Sequence, residues 1–244
     1  MKEKEIMRNG IPEIPLNKIA LFTGIGYLII FITGIYSNFV VLENLVIQSD
    51  PAVTSNNIIN NDFLFRTGIG SFILMVVFDV LLAWTLYLLL EPVNKKLSLL
   101  TGWLRLVNST IFGIALFNLL SVQHILNGSE NLLSLSDNQI HAHVMVSIRT
   151  FNDTWLIGLV FFGLHLMVLG YLIFKSDYMP KIIGILLMIA SFGYLLDSVA
   201  NFLLSNYSDY QDIFLFIVLV PGIIGELSLT LWLIIKGRKL SDIR

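Results

Sequence analysis

The stretch that most constrains this chain is Trp155 to Asn201, two apolar arms joined by a short polar turn. The first arm reads WLIGLVFFGLHLMVLGYLIF, the turn KSDYMPK, and the second arm IIGILLMIASFGYLLDSVAN. Each arm is close to the ~20 residues that cross ~30 Å of hydrocarbon at ~1.5 Å per residue. His165 lies mid-way along the first arm, and Asp197, Ser198 and Asn201 lie in the second. Ionisable groups at such depth are costly and face a bundle interior, a cavity or a partner.

Four more apolar segments accompany this pair. The six together are read as helices over Ile19–Val41, Thr67–Leu90, Leu97–Val122, Thr154–Phe174, Ile182–Leu204 and Ile213–Ile235. Only 13% of the 244 residues are charged, against about a quarter in soluble domains, so the chain reads as an all-α integral membrane bundle, one domain over 1–244. A net charge of −2 offers no basic face to nucleic acid. Without cysteine there is no disulfide framework and no thiolate nucleophile. The N-terminal MKEKEIMRNGIPEIPLNK is polar and unlike a cleaved signal.

The basic residues set an orientation. Thirteen of the 15 Lys and Arg fall on one side of the six segments, with Arg66 and Arg149 on the other. The positive-inside rule then places both termini in the cytoplasm of a multi-pass protein of the inner or plasma membrane, with the lipid bilayer as its first partner. The outer 123–153 loop is longer than a turn requires. Within it Ser136-Asp137-Asn138-Gln139 has capping-box spacing, and Ile140, Val144, Ile148 and Phe151 recur at helical intervals. A short amphipathic helix is expected there, either capping the bundle's outer mouth or serving as an interfacial linker. A faint inverted repeat of three helices would make Asp79 and Asp197 equivalent.

Counting along the segments puts Asp79, His165 and Glu226 near mid-depth, with Asn108 close to them. Asp197 and Asn201 fall further out, Ser198 beside them, and Arg66 at the outer rim. Arg105, in the inner part of the third segment, has a side chain long enough to snorkel to the cytoplasmic surface. At 100° per residue Tyr194, Asp197 and Asn201 share one stripe of the fifth segment, and Gly222, Glu226 and Thr230 one of the sixth. The expectation is one outward-opening polar pocket built from His165, Asp197, Glu226, Asp79, Asn201, Asn108 and Ser198, with Arg66 as a rim counter-charge. A divalent metal at His165, Asp197 and Glu226 matches the ligand types, but no HExxH or paired-His spacing supports it. His141 and His143 lie two apart, on opposite sides of a helix, and read as surface residues.

Three stretches resemble a bacterial membrane family catalogued as domain of unknown function 4386: LFRTGIGSFILMVVFDVLLAWTLYLLLEPVNKKLSLLTGWLRLV, LIGLVFFGLHLMVLGYLIFKSDYMPKIIGILLMIASFGYLLDS and GELSLTLWLIIKG. The resemblance runs from about Asn17 to Gly237 and is most specific over FFGLH to GYLLDS. It implies a multi-helix membrane protein, matches its recurring polar positions at Arg66, Asp79, Arg105, His165, Tyr171, Asp197 and Glu226, and carries no activity. Three functions stay open. The first is binding or moving a small polar solute, a cation or a proton. The second is an intramembrane enzyme acting on a lipid or isoprenoid with His165 and the carboxylates as acid and base. The third is a non-catalytic membrane partner subunit.

Overall fold

A computed structural model describes residues 7–8, 11–12, 14–128 and 135–240. Apart from a two-residue backbone pairing of Met7–Arg8 with Ile11–Pro12, every regular element among them is helical. Six helices are long and apolar enough to span a membrane: α1 (Leu16–Leu45), α3 (Asp62–Leu90), α4 (Lys95–Leu126), α5 (Asp137–Lys175), α6 (Lys181–Leu203) and α7 (Gln211–Ile235). The short α2 (Pro51–Asn60) lies between α1 and α3. It starts where Asp50 Oδ1 accepts from the backbone N–H groups of Ala52 and Val53, with Pro51 in the first turn.

The amphipathic segment expected in the outer loop is not a separate helix. It is the first part of α5, which runs unbroken for 39 residues, about 58 Å at ~1.5 Å each. Gln139 Oε1 accepts from the Ser136 N–H at 2.9 Å and fixes the start of that helix. Val144, Met145, Ile148 and Phe151 are buried along one side, so the periodicity marks packing against the bundle rather than a face on lipid.

Successive spanning helices are neighbours, α1 with α3, α3 with α4, and so on to α7, and α7 returns to α1. The ring closes tightly at one end, where Gly24 of α1 abuts Leu233 and Ile234 of α7 and Gly237 abuts Ala20. At that end a core of leucines and isoleucines from α1, α3, α5, α6 and α7 fills the interior. A second core, at the other end, gathers Val41, Ile58, Phe65, Phe72, Leu119 and Phe151 with their neighbours. It contains residues of α1 to α5 and none of α6 or α7. In the first ten residues of α7 only Val218 is buried.

Two departures from α-geometry lie in this looser half. Tyr36–Leu42 of α1 is π-helical, tied to α3 by the Ser37 hydroxyl donating to Gly68 O at 2.9 Å and by a 2.7 Å bond between the Tyr36 and Thr67 hydroxyls. In α7, Pro221 has no N–H for the carbonyl of Ile217, one turn earlier. Gly193 of α6 packs against that carbonyl, where a Cβ would come within 2.6 Å.

Candidate intramembrane site

Helix rise puts one polar group of each of five helices into a common layer. From the tightly packed end, Tyr27 is eleven residues into α1, Asp79 eleven before the end of α3, and Arg105 ten into α4. His165 is ten before the end of α5, and Glu226 nine before the end of α7. At ~1.5 Å per residue all five sit about 15 Å in, near mid-membrane. Short connections between neighbouring helices bring them together.

Arg105 is the centre of this layer, 1% exposed. Its Nη2 donates to Asp79 Oδ1 at 2.5 Å, and its Nη1 reaches the Tyr27 hydroxyl and His165 Nε2, each at 3.1 Å. The guanidinium also lies 4.9 Å from the Tyr27 ring centroid and 5.7 Å from that of Phe162, where ring quadrupoles attract a cation. Arg105 therefore does not snorkel. A buried carboxylate within direct reach outweighs a distant surface, because either charge alone in hydrocarbon would be far costlier than the pair.

The partners of His165 fix its tautomer. Nδ1 lies 2.9 Å from Thr101 O, which can only accept, so Nδ1 carries the hydrogen. Nε2 faces an arginine N–H, which can only donate, so Nε2 presents its lone pair. Both ring nitrogens are thus engaged by the protein itself. The imidazole is structural, stacked 5.9 Å from Phe162.

Glu226 stands apart from this set. Its Oε1 accepts from the Tyr194 hydroxyl at 3.2 Å, and Gly222, one turn earlier on α7, makes room for that hydroxyl. Among the described residues Glu226 forms no ion pair. Glu226, Tyr194, Asp79 and Arg105 form the floor of a cavity of about 350 Å³. Its walls come from Ile30 to Phe39 of α1, Met75 of α3, Phe112, Trp155, Leu159 and Phe162 of α4 and α5, and Leu219 to Ile223 of α7. Trp155 stacks on Phe112 at 3.7 Å, which fixes that wall. Ile35, Phe39 and Ile223 are 45–53% exposed at the mouth, between the halves of α1 and α7 away from the tightly packed end.

Several expected members lie elsewhere. Asp197 sits sixteen residues into α6, further out than the layer, and its Oδ1 accepts from the Tyr207 hydroxyl at 2.5 Å, with Asn201 beside it. His165, Asp197 and Glu226 are therefore not one cluster. Among the described residues no three His, Asp or Glu side chains gather to hold a metal ion. Arg66 is exposed and pairs with Asp62 at 2.6 Å, away from the cavity. Asn108 and Ser198 are fully buried but outside the cavity lining, and the side-chain polar atoms of both have no hydrogen-bond partner among the described residues. Arg105, expected to snorkel, and Tyr27 and Tyr194, not among the expected pocket residues, complete the site. Equal counts inward from the α3–α4 turn pair Arg105 with Asp79, and that signal was available.

The profile of a family described as "Domain of unknown function (DUF4386)" matches residues 22–237. The chain belongs to this family. The DUF4386 match takes in all six spanning helices and every residue of the polar layer. A protein of Archaeoglobus fulgidus described as "Uncharacterized protein" is 36% identical over 170 residues, 70% of this chain and 83% of that one. No solved structure matches the chain.

Proposed function

We propose that this multi-pass membrane protein binds, within the membrane, a small molecule with an apolar body and a polar head. One observation carries the reading: the cavity is charged only at its floor and is walled, apart from Asn38 near the mouth, by aromatic and aliphatic side chains up to an opening between α1 and α7. A volume of about 350 Å³ falls in the range of ligand sites, and apolar lining with few polar groups is their usual composition. The walls narrow the expected small polar solute to an amphiphile, because a fully hydrated solute would lose its water against Phe31, Phe112 and Phe162 without compensation. The half-exposed apolar mouth favours entry from the lipid side. We further propose that both termini face the cytoplasm, as the 13-to-2 division of basic residues favours. Acid–base catalysis by His165 is disfavoured, since both of its nitrogens are engaged.

Gly34 lines the cavity, so Gly34→Leu extends a side chain into it. Native mass spectrometry of protein extracted with its surrounding lipid should find a small amphiphile retained by the wild type and lost from Gly34→Leu. Equal retention by both, or none by the wild type, would overturn the reading.

A further inference from the structure

Resting on that reading, we infer that the head group is a positively charged amine or quaternary ammonium, held by Glu226 against the aromatic rings of Phe162 and Tyr194. The argument begins with charge. The floor holds one guanidinium and two carboxylates. Asp79 and Arg105 pair with each other at 2.5 Å. His165 adds no charge, because its two bonds require the neutral tautomer. Among the described residues Glu226 is left as an acid with no ion pair, its one hydrogen bond coming from a tyrosine hydroxyl. A cation brought to it completes the balance, whereas an anionic head would meet it as a like charge.

The second part is the wall. Phe31, Phe39, Phe112, Trp155, Phe162 and Tyr194 all line this one cavity. Phe162 and Tyr194 lie beside Glu226 at the floor, with the other four toward the mouth, and aromatic rings next to a carboxyl group recognise alkylammonium groups through quadrupoles that survive desolvation. Phe162 meets Tyr194 edge-on at 5.1 Å, so these two rings are set before a ligand arrives. Phe162 already carries one cation, the Arg105 guanidinium at 5.7 Å. The Arg105 charge does not repel the ligand strongly, since Asp79 neutralises it at contact. An alkyl tail leaves through the apolar mouth beside Phe39 and Ile223.

The test compares octyltrimethylammonium with its neutral carbon isostere, in which a tert-butyl group replaces the trimethylammonium head. Equilibrium binding is measured to the full chain in nanodiscs of phosphatidylglycerol and, separately, of phosphatidylcholine. In phosphatidylglycerol the wild type should bind the cation at least about tenfold tighter than the isostere. Glu226→Gln should remove that preference, the loss expected when one partner of a desolvated charge pair is truncated. If Glu226→Gln proves unstable, Phe162→Leu, which removes a ring beside Glu226 but keeps an apolar side chain, should weaken the cation more than the isostere. Because a phosphatidylglycerol surface itself attracts cations, the two lipids are compared through the neutral isostere: its weaker binding in phosphatidylcholine identifies a choline-headed lipid as the occupant, and its unchanged binding a free amine. If the two probes bind alike to the wild type and Gly34→Leu abolishes both, the amphiphile pocket stands and the cationic head is wrong. If neither probe binds, both readings fall.

Discussion

Deleting the Arg105 side chain would leave Asp79, 3% exposed, as a lone acid in the bundle interior. Arg105→Leu should therefore destabilise the protein by about 3–5 kcal/mol, while the double variant Asp79→Leu/Arg105→Leu should recover much of that loss. Reversible unfolding in mixed micelles would measure both; a double variant no better than the single one would sink the argument. At His165 the expectation is spectroscopic: its ¹⁵N shifts should report hydrogen on Nδ1 and a bare Nε2, and the opposite tautomer would contradict the Thr101 and Arg105 contacts. Tyr207 lies outside the spanning segments, half-buried between α6 and α7. Burial, and then its bond to Asp197, raise its pKa from 10.0 to about 12. Its contribution is complete below about pH 10, where an unfolded tyrosine keeps its proton, and is lost as pH rises through about 12. Hydrogen exchange at residues 204–212 should accelerate across that window in the wild type and be less pH-dependent there in Tyr207→Phe.

Helix α6 is held to α5 by the absence of side chains at two places. A Cβ on Gly184 would lie 2.5 Å from Gly170 O, and one on Gly170 would lie 2.6 Å from Gly184 O, so neither helix can yield without moving backbone. Gly184→Ala should cost about 1–3 kcal/mol or more, as overpacking does. Gly70→Ala, with open space around it, should be neutral or stabilising by up to ~1 kcal/mol. Comparing the two melting temperatures checks the contact; equal effects would mean the helices are not so close. All six spanning helices were legible from apolar run length, yet most ran further than hydropathy indicated. α3 begins at Asp62 rather than Thr67, and α4 ends at Leu126 rather than Val122. Backbone hydrogen bonds continue through polar residues where apolar character stops. The signals for α2, an Asp cap before Pro51, were also present in the sequence. The π-helical Tyr36–Leu42 was not legible, because it depends on contacts with Thr67 and Gly68 of another helix.

For the molecule as a whole, depth along a helix was readable and direction around it was only partly so. That is why Asp79, His165 and Glu226 were placed in the right layer, and why Asp197 was drawn into a cluster it does not join. Membership depends on which neighbour offers a partner, Tyr207 for Asp197 and Asp79 for Arg105. The cysteine-free chain allows a direct test of orientation. Single cysteines at exposed Asp177 and Asn206 lie at opposite ends of α6. A membrane-impermeant maleimide added to intact cells should label Asn206→Cys and spare Asp177→Cys; the reverse pattern would invert the topology. The shared depth of the polar layer also has an electrical consequence. About 15 Å from one face of a ~30 Å barrier, a charge reaching Glu226 from bulk water has crossed about half of the transmembrane potential. At ~2.3 kcal/mol per charge per 100 mV, that is about 1 kcal/mol for every 100 mV, or several-fold in occupancy. A cationic occupant arriving from an aqueous face would thus be drawn in or driven out by voltage, and the sign of that dependence would reveal the side from which it came.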